Sequence, residues 1–261
     1  MHEPDPSAKE GVRNEDEPQY WLGTTPLLDL EDPKLRLRAQ ALTQLCKSDR
    51  EKALAIYGFV KRIPFAKPFK MRLHTAREVL DARRADAPDK AALLVALLRL
   101  SGIAARLRYV ELRGEILRGL TSSMTSAARA QAEVWLHGRW VCTDTYIFDA
   151  SYMAAARQRL REQDWEWGMG IHRDGHTIWD GLNDAFLGGS PSDSDPMFLR
   201  DLGHYCDPLE FISSEIYREM PPRVSRALHW NMISPLMERA IRDLREESAA
   251  GATPAARKTS A

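Results

Sequence analysis

The chain has no long apolar run: no stretch approaches the roughly 20 residues that a membrane-spanning helix needs. Its first twenty residues, MHEPDPSAKEGVRNEDEPQY, contain no apolar core, so a secretory leader is not expected. Cysteine is scarce. Cys46, Cys142 and Cys206 are an odd number at wide spacing, which makes no disulfide framework and offers no C-x-x-C pair for zinc. There is no excess of either charge: Lys plus Arg and Asp plus Glu both total 37. A nucleic-acid binder carries a basic excess or stripe, so that class is set aside. Together these absences predict a reduced, cytoplasmic, soluble protein with buried free thiols, and neither membrane nor nucleic acid as a partner. What is present is ordinary core-forming material, 44% hydrophobic and 28% charged over 261 residues, enough for one large domain.

Residues 1–19, rich in Pro and acidic residues, and residues 247–261, rich in Ala, Ser and Thr, read as disordered tails around a domain at 20–246. Inside it, Asp32-Pro33 opens a helix to about residue 45. Ser48 and Glu51 form a capping-box pattern for a helix to about residue 61, with Ala53, Ile56, Tyr57 and Val60 on its apolar face. The stretch PFAKPF is extended, and Thr75 with Glu78 opens a short helix. Ala87-Pro88-Asp89-Lys90 then leads into AALLVALLRLSG, apolar on most sides, which predicts a central buried helix ended by Gly102.

After Gly102 the period changes. Residues 103–112 and 131–136 read as strands, His137-Gly138 as a tight turn, and 139–147 as the returning strand of a hairpin. Helices are predicted over 149–162, 207–219 and 222–246, the last kinked at Pro235. The Gly-, Trp- and Asp-rich stretch 165–200 is predicted to be a long irregular segment, of the kind that is usually functional or mobile.

Two blocks carry a resemblance. One is Ala85-Asp86-Ala87-Pro88-Asp89-Lys90-Ala91 followed by Leu98-Arg99-Leu100-Ser101-Gly102-Ile103-Ala104-Ala105-Arg106. The other is Arg129-Ala130-Gln131-Ala132-Glu133-Val134 followed by Gly138-Arg139-Trp140-Val141-Cys142-Thr143-Asp144. Over about residues 50–148 this order resembles the transglutaminase-like branch of the papain-type fold. The family pattern is a helix starting G-x-C-x-D/E-x-A and ending L-R-x-x-G-I-P-A-R, then H-x-W-x-E-V and G-x-W-x-x-x-D. The resemblance implies an α+β fold with a central buried helix packed on an antiparallel sheet, plus extra C-terminal helices. It also implies a Cys-His-Asp triad, in which the helix dipole and an imidazole lower the thiol pKa. Carried over position by position, Ala87 holds the nucleophile's place, Arg129 the base's and Asp144 the orienting acid's. Alanine has no nucleophilic atom and arginine cannot accept a proton near pH 7. Thiol acyl transfer by the family's route is therefore not expected.

Each remaining candidate has a structural and a functional reading. Arg129 and Asp144 are either an ion pair replacing the His-Asp interaction, or Arg129 joins the N-terminus of the helix after Ala87 in an anion site. Asp86 and Asp89 either stabilise the helix dipole or present a carboxylate base. Ala87 is a poor capping residue, and Trp140 belongs with Arg129, Ala87 and Asp89 in the ligand-binding set. Cys142 reads as a buried thiol. His172, Asp174 and His176 alternate, so an extended chain would put them on one side, in principle for a metal, although the spacing matches no specific zinc pattern. They are either hydrogen-bonded in a loop over the cleft, or part of a lid that supplies the missing imidazole. His204, Cys206, His229 and Trp230 read as helix-packing or capping residues.

Two functions stay open. One is a non-thiol hydrolase or transferase acting on a small acyl, peptide or carboxylate-bearing compound, with Asp144, Asp86, His172 and His176 as the catalytic set. The other is a silent pseudoenzyme that binds a small molecule or peptide or serves a protein partner. Neither a metal nor a cofactor is expected.

Overall fold

The computed structural model describes residues 17–68, 72–220 and 226–251. Four helices come first: α1 (Pro33–Thr43), α2 (Asp49–Arg62), α3 (Ala76–Ala82) and α4 (Ala87–Leu100). Three strands follow, β1 (Ala105–Arg113), β2 (Ser126–Leu136) and β3 (Arg139–Thr143), and then α5 (Ala150–Glu162). A two-residue ladder, β4 (Trp167–Gly168) with β5 (Ile171–His172), interrupts the irregular segment before β6 (Phe198–Tyr205). The chain closes with α6 (Pro208–Ser213), α7 (Glu215–Glu219) and α8 (Arg226–Gly251). The main sheet is antiparallel, in the order β3-β2-β1-β6. This is the α+β arrangement expected.

The caps explain where the helices begin. Asp32 accepts from the Lys34 and Leu35 N–H groups, and Ser48 from Glu51 N–H. Glu51 reaches Lys47 N–H rather than Ser48, so only half of that capping box forms, whereas the Thr75–Glu78 box is complete. In α4 the cap is Asp86, which accepts from Asp89 N–H at 3.3 Å, and Pro88 sits in the first turn. Ala87 is thus the first helical residue and not a poor cap. The expected local fault is absent. From Asp89 to Arg99 every residue of α4 is buried.

The sheet has two packed faces. Ala105, Leu107 and Tyr109 of β1, Ala130, Ala132, Val134 and Leu136 of β2, and Val141 of β3 share one core with the leucines of α4. On the opposite face, Val110 and Leu112 form a second cluster with Ile116 and Met197. The β1–β2 register runs unbroken from Ala105↔Val134 to Arg113↔Ser126, so strand alternation alone assigns each residue to a face.

Several boundaries differ from expectation for physical reasons. β2 starts at Ser126 because pairing with β1 overrides the weak strand propensity of its alanines. β3 stops at Thr143 because Asp144 turns away to other partners. β6 was not expected. It is an edge strand carrying Arg200, Asp201 and Gly203, a composition suited to an unpaired edge and easily read as loop. The expected helix over 207–219 is two, because Ser214 ends α6 and caps α7 through Tyr217 N–H.

Near the chain ends, Pro18–Leu22 forms a 3-10 turn that buries Trp21, and α8 extends to Gly251, past the expected boundary at 246. Residues 1–16 and 252–261 of the expected tails lie outside the described residues, as do the side chains of His229 and Trp230.

Candidate active site

Arg129 stands on β2 between Ala128 and Ala130, so it points away from α4, to the face it shares with its partner Val110. There its Nη1 donates to Asp144 Oδ2 at 3.2 Å and to the Gly188 carbonyl at 2.9 Å, and its Nη2 to the Gly170 carbonyl at 2.6 Å. The other oxygen of Asp144 accepts from Leu187 N–H at 2.7 Å. Both side chains are buried, Asp144 completely. Burial pushes the Asp144 carboxyl up from its usual range, while Arg129 and the Leu187 N–H pull it down. Arg129 and Asp144 are therefore brought together, but the guanidinium is spent on segment 165–200. It does not join Ala87 in an anion site.

That segment is fastened along its length. Gln131 Nε2 donates to Gly189 O, Cys142 N–H to Asp184 Oδ1, and Asp144 and Ala185 exchange backbone contacts with the end of β3. Gly188 has φ +144°, and a Cβ there would lie 2.8 Å from both Cβ and N of His172. The two histidines serve the loop itself. His172 bonds Glu166 through Nε2 at 3.3 Å, accepts from Asp174 N–H through Nδ1, and packs against Trp167. His176 Nδ1 accepts from Phe186 N–H at 3.2 Å. Neither ring bonds Asp144 or Arg129. Among the described residues, no group of three or more His, Cys, Asp or Glu gathers as a metal site.

A second polar cluster sits at the start of α4. Lys67 Nζ donates to Asp86 Oδ2 at 2.7 Å, and His74 meets Asp89 twice, through Nδ1 at 2.9 Å and through its backbone N–H at 3.3 Å. Asp89 is 2% exposed, whereas the His74 side chain is 31% exposed. A carboxylate accepts only, so Nδ1 carries a proton toward Asp89. Nε2 has no hydrogen-bond partner among the described residues. On one side α8 adjoins this cluster: Glu238 accepts from Lys67 N–H at 2.6 Å and lies 3.8 Å from Arg84.

His74 was not singled out from the sequence. The Thr75–Glu78 capping box fixes the start of α3 and so the place of His74, but nothing local reveals a partner fifteen residues away. Trp140 lies elsewhere, on the outer face of the hairpin, where Arg106 stacks at 4.3 Å and Trp135 packs edge-on. At the far end of α4 the surface has only a shallow, open depression beside Thr24, Arg36, Gln40, Thr43 and Ser101.

No cysteine sits at the start of α4. Burial pushes the Cys142 thiol well up and the Cys206 thiol up, which disfavours the thiolate in both.

The chain was compared with known proteins. No curated protein matches it. Among solved structures it is similar to a candidate cysteine protease from Cytophaga hutchinsonii, with 20% identity and a TM-score of 0.39 over 50% of this chain and 40% of that one. It is also similar to a candidate protease from Parabacteroides distasonis, with 17% identity and a TM-score of 0.34 over 48% of this chain and 26% of that one. The chain thus spans less than half the length of each. Residues 36–145 match the model of the transglutaminase-like superfamily. That stretch runs from within α1 to just past β3.

Proposed function

We propose that this protein is a silent member of its superfamily, a transglutaminase-like scaffold that holds a peptide, small molecule or partner protein and does not carry out thiol acyl transfer. The observation that supports this most is the buried Arg129–Asp144 pair. Every Nη and carboxylate oxygen named in it is engaged with the other partner or with the backbone of segment 165–200. A base and its orienting acid must face a nucleophile, and these face a fastened loop.

A second reading is favoured by one observation, the His74–Asp89 pair. A buried carboxylate that fixes a partly exposed imidazole is the arrangement of a general base, and a non-thiol enzyme would use it. One experiment separates the two. The purified protein is assayed for amide and ester hydrolysis and for amine transfer to peptide glutamine, with and without thiol alkylation, alongside His74→Ala. The scaffold reading expects no turnover under any condition. Turnover that survives alkylation and disappears in His74→Ala would establish the second reading, and turnover abolished by alkylation would overturn both.

A further inference from the structure

Four helices meet at a charge cluster that the scaffold reading does not use. Lys90 of α4 has a fully buried side chain, and its Nζ donates to the carbonyls of Ile63 at 2.8 Å and Lys61 at 3.3 Å. Lys61 of α2 sends its own Nζ to Thr145 O at 2.6 Å and Phe148 O at 3.0 Å. Asp149, the cap of α5, accepts from Phe65 N–H at 2.7 Å and from Arg245 of α8 at 2.6 and 3.0 Å. Arg245 also donates to Phe65 O at 3.1 Å and to Ser151, and lies over the Tyr152 ring. Beyond Tyr152 stand Arg129 and Asp144.

Among the described residues, the charges that act most on Lys90 are the cations Lys61 and Arg245 and the anion Asp149. Excess charge out of water is costly, and arginine cannot shed its proton, so the relief falls to a lysine. Burial, reinforced by Lys61 and Arg245 and opposed by Asp149, brings Lys90 down to about 7. Lys61 is lowered to about 8, mainly by burial.

The charge on Lys90 is linked to α8 through one short segment. Lys90 holds the Ile63 carbonyl, while two residues on Asp149 accepts from Phe65 N–H and Arg245 donates to Phe65 O, so a protonated Lys90 competes with Arg245 for Asp149 there. Arg245 is a main polar anchor of α8, together with Glu238 at Lys67 and Glu247 at Arg159. Ile233, Met237, Ile241 and Leu244 give the same helix its buried apolar side.

We propose that Lys90 is a proton switch for the docking of α8: a neutral Lys90 leaves Asp149 to Arg245 and holds the helix, and a protonated Lys90 loosens it. Because Glu238 binds the backbone of Lys67, whose side chain pairs with Asp86, loosening α8 also uncovers one side of the α4 start. The inference concerns regulation and is independent of whether the protein turns over a substrate.

Two measurements on the full-length protein test it. Isotope-labelled lysine NMR follows Lys90 from about pH 6 to about pH 9, and hydrogen exchange corrected for intrinsic rate follows the amides of α8. Lys90 is expected to titrate with a midpoint near 7. Protection of α8 is expected to rise about tenfold or more through the same midpoint. In Lys90→Met, which keeps the length and loses the charge, that rise should vanish. Should the variant not fold, the wild type decides by comparison: a local switch raises the protection of α8 amides more than that of β1 and β2 amides, and an equal rise in all of them overturns the proposal. Protection of α8 that stays flat while Lys90 titrates, or a Lys90 still protonated at about pH 9, overturns the proposal.

Discussion

The two faces of the central sheet have taken different courses. On the α4 side, the start of the helix keeps a buried carboxylate that fixes a partly exposed imidazole, His74 on Asp89, next to the Lys67–Asp86 pair. On the other side, Arg129 and Asp144 are sealed under segment 165–200, with their hydrogen bonds spent on one another and on backbone. The sequence resemblance alone would make the second pair the functional one, because it implies a base and its orienting acid at those positions. Burial and bonding point the other way. A charged pair buried this deeply works as a brace, and the group still able to meet a ligand is the partly exposed His74 ring.

Breaking the brace should have the largest effect. Arg129→Met strands the Asp144 carboxylate and frees the Gly170 and Gly188 carbonyls, and should cost about 3–5 kcal/mol in chemical denaturation. Next comes pH. Lys90 and Lys61 are lowered from 10.5 to about 7 and about 8. Between those values and 10.5 the unfolded chain binds more protons than the fold, so stability rises with pH there. The gain should be about 3 kcal/mol from about pH 6.5 to about pH 9, read from denaturation midpoints, and largely lost in Lys90→Met.

Gly188→Ala tests the packing of the loop on the brace. Its φ of +144° and the 2.8 Å approach to His172 force a shift, for a loss of roughly 1–3 kcal/mol. The smallest effect belongs to the open side. His74→Ala removes one hydrogen bond from Asp89, keeps the backbone one, and should cost about 1 kcal/mol in the same assay. If His74→Ala proved costlier than Arg129→Met, the contrast between the two faces would be reversed.

Much of the fold was legible because local chemistry decides it. Asp32, Ser48 and Thr75 cap where their side chains announce a cap, His137-Gly138 turns with φ of 54° and 76°, and the unbroken apolar run of α4 is buried as it must be. What was hidden depends on distant partners. β2 owes its early start to β1, and β6 is an edge strand whose charges resemble those of a loop.

The site was half legible for the same reason. The Arg129–Asp144 pairing follows from adjacent strands, but which face it occupies depends on the β1–β2 register, and its three backbone partners come from residues 170, 187 and 188. Alternation put His172, Asp174 and His176 on one side of an extended chain. The chain turns there, and Asp174 N–H bonds back to His172. His74 needed Asp89, fifteen residues on, and Lys90 needed carbonyls from the end of α2, so neither could be found from its neighbours.

The most direct test of the brace is a double-mutant cycle of Arg129→Met and Asp144→Asn, followed by chemical denaturation. A buried structural pair requires each single change to be strongly destabilising and the two to couple by roughly 2–3 kcal/mol. Single changes that leave stability intact and couple by less than about 0.5 kcal/mol, yet abolish binding or turnover, would contradict the account and return Arg129 and Asp144 to the site.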